Sequence, residues 1–146
     1  MYNKIRNKRR GLEMTDILND YEKAMAVLDD LSKDYLVWVR ADLENLERAF
    51  LQAQQTPVEQ RTSLIRENLF RTAHDMKGQG ATFGYDLITD IGNHLCRYIE
   101  RFDNFNEKQM NDIKIHVDAL RQIIDEALIH DGGEKGALLK QKVEAL

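Results

Sequence analysis

The sequence has few of the residues that cross-link or interrupt a chain. Among its 146 residues there is one cysteine, Cys96, and one proline, Pro57. A single thiol excludes an internal disulfide framework and a metal site built from several cysteines. No apolar run approaches the roughly 18 residues that a membrane-spanning helix needs. The basic N-terminus lacks the apolar core of a signal peptide, so we expect a cytoplasmic protein.

The residues that are present favour a single helical domain. Hydrophobic residues make up 42% of the chain and charged residues 32%, which is ordinary for a soluble protein. The length is sufficient for one domain with a hydrophobic core. Apolar residues recur at steps of three and four, with no strand-like alternation and no internal repeat. This pattern predicts an all-α fold, an antiparallel up-down four-helix bundle with extra terminal helices.

The N-terminal part is expected to differ from the rest. Residues 1–14 contain five cations and only one acid, Glu13, and we interpret them as a basic disordered tail. Residues 15–146 are expected to form a single helical domain, with the bundle core at about residues 32–131. The first helix has an N-cap at Thr15 or Asp16, and a break is expected at residues 32–34. Its apolar stripe consists of Ile17, Tyr21, Ala24, Leu28 and Leu31.

A later helix is predicted from Pro57 to about Phe83. Thr56 is a suitable N-cap, Glu59 completes a capping box, and Gly84 is a residue free to end the helix at positive φ. Its apolar stripe consists of Ile65, Leu69, Ala73, Met76, Gly80 and Phe83. Further helices are predicted over about residues 85–101, after a cap at residue 106, and at the C-terminus.

His74 is placed by this periodicity on the solvent side of its helix. At about 100° per residue it lies roughly 150° from the middle of the apolar stripe. An exposed neutral imidazole is a nucleophile near pH 7. Lys77, one turn later, can reach a phosphoryl group on the ring, and Gly78 leaves the ring uncovered. The other residues predicted on this face are Phe70, Arg71 and Ala81.

The string Ala73-His74-x-x-Lys77-Gly78, followed by small residues and Phe83-Gly84, resembles the signature of histidine-containing phosphotransfer (HPt) domains. The resemblance implies a four-helix bundle that relays phosphate between receiver-domain aspartates through one histidine. His74 would be the phosphoacceptor, and Lys77 would stabilise the phosphoryl charge. Receiver docking is then expected at four residues of the same face: Phe70, Arg71, Gly78 and Ala81.

The resemblance also implies partners and cofactors. The expected partners are receiver domains of hybrid histidine kinases and response regulators. Mg²⁺ is expected from the receiver, because no Mg²⁺ carboxylate site and no cofactor site is recognised in this chain. Without a glycine-rich phosphate loop, a phosphocarrier with no ATP-dependent kinase activity of its own is predicted.

Two other functions are compatible with a small helical bundle. One is an adaptor that binds kinases or response regulators without carrying phosphate, although an adaptor needs no reactive histidine. The other is a nucleic-acid-binding bundle led by the basic tail. The acidic body, which gives a net charge of −4, makes nucleic acid an unlikely partner.

The sequence departs from the family pattern at one position. Many HPt domains have a glutamine on the following helix, about where Cys96 falls, that hydrogen-bonds the imidazole. The group that orients His74 is therefore open, with Asn93, Gln79 and a water as alternatives. Cys96 is interpreted as filling space in the bundle. The remaining histidines are expected to be solvent-facing or edge residues: His94, His116 and His130.

Overall fold

The structure, a computed structural model, describes the side chains of residues 13–146. Helices account for almost all of the regular structure, and the described part has no strand, which confirms the all-α class. The helices are α1 (Tyr2–Gln55), α2 (Ser63–Lys77), α3 (Asp86–Glu100), α4 (Glu107–Asp125) and α5 (Gly133–Glu144). Short 3₁₀ turns at Val58–Gln60 and Ala81–Phe83 flank α2. By packing, the chain divides into two compact units, Met1–Asp34 and Tyr35–Leu146.

The first unit belongs to α1 alone. The predicted break at residues 32–34 is wrong, because α1 continues through them. Ser32 donates its hydroxyl to the carbonyl of Leu28, and Lys33 pairs with Asp29 one turn earlier, so these polar side chains are accommodated within a helix. Of the predicted tail, residues 2–14 have the backbone of α1, while the side chains of residues 1–12 lie outside the described residues. The domain limits therefore remain a prediction.

The second unit is an up-down bundle of four helices. Residues 35–55 of α1 run antiparallel to α4, since Arg40 bonds Asp125 while Glu47 bonds Arg121. Arg66 near the start of α2 donates to the carbonyl of Phe102 just after α3, so these two helices are antiparallel as well. The pairs His94–His116 and Tyr98–Asp112 set α3 against α4 in the same way.

The core of this unit confirms the predicted apolar stripes. Its fully buried large side chains include Leu43, Leu46, Leu69, Met76, Leu87, Ile88, Ile91, Leu95, Ile99 and Ile113. The predicted cap at the start of α4 is also confirmed, since Asn106 and Gln109 form a reciprocal capping box. Helix α5 contributes the buried Val143 and packs Leu139 against the same core, and Leu146 packs there from beyond the end of the helix.

The connection between α1 and α2 differs from the prediction. Thr56 does not cap α2, because its hydroxyl donates back to the carbonyl of Gln52 in α1. Pro57 is extended and leads into a 3₁₀ turn, so α2 begins only at Ser63. Arg61 is buried here and donates to the carbonyls of Ala53, Thr56 and Phe105, which ties two interhelical connections together. The capping-box pattern was sound as a local signal but was overridden by these tertiary bonds.

Candidate functional site

His74 is an exposed residue on a helix whose other face is buried. Leu69, Ala73 and Met76 anchor α2 in the core. The His74 ring points away from them, as the periodicity predicts. The ring of the half-buried Phe70 lies 6.1 Å away, centroid to centroid. Among residues 13–146 no hydrogen bond is made to the imidazole, and its exposed side chain leaves the ring accessible to an incoming group.

The helix ends one turn after His74, earlier than predicted. Helix α2 stops at Lys77, and Gly78 is its C-cap in right-handed helical conformation. Gly80 then brings the chain against α3, because a Cβ there would lie 2.7 Å from the Tyr85 carbonyl oxygen and 2.8 Å from Thr89 Oγ1. This close approach explains the early end. Ala81 therefore does not share the His74 face through helical phase; it is exposed in the 3₁₀ turn, and its amide donates to Thr89.

An aromatic cluster holds the segment that follows the site. The Phe83 ring stacks on Tyr35 of α1 at 5.1 Å and meets Trp38 edge-on at 6.4 Å, while Tyr35 also contacts Tyr85. Such pairs contribute about 0.5–1.5 kcal/mol each beyond their buried area. Gly84 has φ of 84°, which confirms the predicted positive φ. The turn after His74 is thereby fixed to α1.

An open groove of about 390 Å³ runs between α1 and the end of α2. It is lined by Tyr35, Trp38, Asp42, His74, Asp75, Gly78 and Gln79. Two carboxylates thus lie beside the imidazole. Burial, and to a smaller extent the charge of Asp75, raises the pKa of Asp42. These two carboxylates would repel a purely anionic ligand. The groove therefore suits a binding partner that brings positive charge of its own.

The two predicted cations take different positions. Lys77 is half-buried, its stem lies against Gly92 of α3, and Nζ is 3.5 Å from Asn93 Oδ1. Arg71 is exposed and donates to Asn68 within its own helix. Lys77 is therefore a positioned charge one turn from His74, whereas Arg71 belongs to the exposed surface of α2.

The group that orients His74 is not identified by a direct bond. Asn93, one of the expected alternatives, accepts from Lys77 instead. Gln79 lines the groove together with His74. Cys96 is buried in the core, which confirms its space-filling role, and burial raises the pKa of its thiol. The Phe70 ring is an aromatic neighbour of the imidazole, tilted at 36° to it.

The expectation for the other histidines was wrong for His116. This residue is fully buried in α4, and its Nδ1 lies 2.7 Å from the carbonyl oxygen of Asp112. A carbonyl can only accept, so Nδ1 carries the proton and Nε2 accepts from His94 Nδ1 at 2.8 Å. Asp112 in turn accepts from Tyr98 and Lys108. The sequence did hold a signal, because His116 falls three residues after Ile113 and four before Leu120, on the apolar face.

The buried His116 predicts a loss of stability in mild acid. Burial lowers the pKa of His116 from 6.5 to about 4. The unfolded chain therefore binds a proton that the folded chain rejects, so stability is complete above pH 6.5 and falls as the pH drops toward 4. The cost reaches about 3 kcal/mol by linkage. Urea unfolding of the wild type and of His116→Gln between pH 7.5 and 4.5 measures it. We expect the variant to lose most of this slope, and an unchanged slope would contradict the assignment.

Sequence reasoning missed three residues on the far wall of the groove. Tyr35, Trp38 and Asp42 come from α1, and the helical face that they share does not reveal which helix it meets. Within the described residues, acids, histidines and cysteines form no group able to hold a metal ion, and no helix is long and apolar enough to cross a membrane.

Fold and site together define a helical bundle that presents the exposed imidazole of His74, with the Lys77 ammonium one turn away. A family model of the Hpt domain matches residues 30–130, which is more than half of the chain and includes His74. The chain therefore belongs to the Hpt domain family, as the resemblance implied, and the function of this family is histidine phosphotransfer in phosphorelays. Hpt domains exchange phosphoryl groups with receiver domains. No curated protein and no solved structure matches the chain.

Proposed function

We propose that this protein is a phosphorelay intermediate in which His74 accepts a phosphoryl group from a receiver aspartate and passes it to another receiver. The observation that carries the proposal is the open imidazole of His74 at the end of α2. His130 is also exposed and His94 has Arg97 one turn later, but His74 is the one of the four histidines that lines the groove beside α1. The partners we propose are hybrid histidine kinases and response regulators, met in the cytoplasm.

The transfer is a direct exchange between two side chains. A ring nitrogen of neutral His74, which we assign as Nε2, attacks the phosphorus of the aspartyl phosphate in line. The N–P bond forms as the P–O bond to the aspartate breaks, and the aspartate leaves as a carboxylate. The reverse exchange, with a second receiver aspartate as the acceptor, returns the free imidazole. Such transfer depends mainly on positioning and charge compensation, and a rigid helix supplies the positioning.

Charge compensation comes from both proteins in this proposal. Lys77 can turn from Asn93 toward the phosphoryl oxygens, which are the stronger partner. Asp42 and Asp75 are unfavourable to phosphate alone, but they suit a receiver that arrives with Mg²⁺ on its own carboxylates. The cofactor is thus proposed to belong to the partner.

The docking surface is proposed to surround His74. Phe70 and Arg71 lie on its N-terminal side, and Gly78 opens the C-terminal side. Ala81 is proposed as a contact at the edge, through its exposed position in the 3₁₀ turn. Gly78 is important because a Cβ there would meet only the chain's own carbonyls, at 3.4 and 3.9 Å, and otherwise open space.

Phosphotransfer from a labelled receiver tests the proposal. The full chain is incubated with a receiver domain carrying labelled aspartyl phosphate, and the products are separated on a gel. We expect acid-labile label on this chain, and its return to a second, unlabelled receiver. The alternative function, an adaptor without phosphate, predicts complex formation with no label transferred. That outcome across a panel of receivers would overturn the proposal.

Removal of the Lys77 charge is expected to slow transfer without abolishing it. Lys77→Met keeps the aliphatic stem that packs against Gly92 and deletes the ammonium. One electrostatic contact of this kind contributes a few kcal/mol at most, so we expect a reduction of roughly 10- to 100-fold in the transfer rate. Lys108→Met, which removes a lysine from the bond with Asp112 on α4, is the matched control. A wild-type rate in Lys77→Met would mean that this lysine is only a surface charge.

A further inference from the structure

Helix α1 presents an apolar seam within the first unit. It consists of Met14, Ile17, Tyr21, Ala24, Leu28 and Leu31, which are spaced alternately by three and four residues. Four of the large side chains are between 50% (Leu28) and 62% (Tyr21) exposed. A single helix cannot bury its own face, and the unit contains no other element. A strict alternation of three and four is the pattern of a coiled coil, not of an isolated surface helix.

We propose that the seam pairs two copies of this chain as an antiparallel coiled coil. The order of residue sizes along the seam indicates that the two helices pair in the antiparallel direction. With the two-fold axis between residues 22 and 23, Tyr21 faces Ala24 of the second copy, Ile17 faces Leu28, and Met14 faces Leu31. The largest side chain thus meets the smallest, and the volume per layer stays even.

Parallel pairing is disfavoured by the same residues. Tyr21 would then face Tyr21, and Ala24 would face Ala24, which gives a crowded layer followed by a void.

The area is sufficient for a specific dimer. Covering the apolar side chains of residues 14–31 on two helices removes on the order of 1,000 Å² from water, which is the lower range of specific interfaces. The neighbouring Leu18 and Met25, 55% and 47% exposed, widen the apolar face. A second copy is the favoured occupant because its own seam supplies the complementary sizes.

Sedimentation of the full chain tests the proposal. We expect the wild type at twice the 17.0 kDa of one chain. Leu28→Glu places two charges in the seam and should raise the dissociation constant about tenfold or more. Leu138→Glu, at an exposed leucine of α5, is the matched control and should leave the dimer intact. Phosphotransfer by the Leu28→Glu chain should persist, which separates this test from that of the proposed function.

Exchanging the large and small residues at positions 21 and 24 tests whether the pairing is antiparallel. Ala24→Tyr alone sets tyrosine against tyrosine in the antiparallel pair and should weaken it, and addition of Tyr21→Ala should restore it. A wild-type monomer at the highest soluble concentration would overturn the proposal. So would a dimer unaffected by Leu28→Glu or a swap without rescue. A monomer that uses the seam to bind vesicles of anionic phospholipid, or a phosphorylated receiver, would assign the face to that partner instead.

Discussion

Replacement of His74 by glutamine is expected to abolish phosphoryl acceptance and leave the fold intact. Glutamine keeps a polar side chain at an exposed position but has no nucleophilic nitrogen, so the rate of label transfer should fall at least about 1,000-fold. The far-UV circular dichroism and the thermal midpoint should stay close to wild type, because the buried face of α2 is unchanged. Transfer from a labelled receiver, followed by gel analysis, measures the effect.

His130→Gln is the matched control for this substitution. His130 is also exposed, but it lies beyond α4, where its backbone bonds Gly84 and Leu87. The control should transfer at the wild-type rate. Mapping of the labelled residue gives an independent test, and label retained by the His74→Gln chain would refute the proposed phosphoacceptor.

A long side chain at position 78 is expected to block transfer without destabilising the protein. Gly78 lines the groove with His74, and its Cβ direction is open. Gly78→Ala should fit and change stability by between zero and about 1 kcal/mol in the favourable direction. Gly78→Gln should keep the fold, cover the imidazole, and lower the transfer rate at least about tenfold. Thermal midpoint and transfer rate are measured on the same variants.

Two controls separate this effect from packing and from bulk. Gly92→Ala puts a Cβ 2.8 Å from the Cβ of Lys77, so it should cost about 1–3 kcal/mol of stability. Ala137→Gln adds the same side chain at an exposed position on α5 and should affect neither quantity. If long residues at position 78 left transfer unchanged, or if alanine there unfolded the domain, Gly78 would be a packing glycine.

The sequence predicted burial and exposure correctly wherever they depend on the helical period of a single element. Steps of three and four along α2 placed Leu69, Ala73 and Met76 in the core and His74 in solvent, and the structure confirms both placements. Helix ends were less predictable, because they depend on contacts with other helices. Thr56 bonds back into α1, and Gly80 is drawn against α3, so both ends of α2 moved inward.

The periodicity of a single helix could not predict which residues of different helices lie next to one another. Trp38 and Asp42 lie beside His74 only because α1 and α2 pack antiparallel. The bond between His94 and His116 likewise joins α3 to α4. Periodicity alone placed His116 on an apolar face, but it could not supply the partner that satisfies the buried nitrogen.

The exposure of His74 has a consequence for the thermodynamics of signalling. The proposed modification adds charge to a ring that contacts solvent and Phe70, while the neighbouring Ala73 and Met76 remain fully packed. A modification that redirects only the Lys77 side chain and leaves the packed face of α2 unchanged cannot shift a conformational equilibrium of the bundle. The phosphoryl bond itself, and not a conformational change of the chain, would then carry the signal. Net flow would follow the relative phosphorylation free energies of the two receivers, and amide exchange should be the same in both forms beyond the turn around His74.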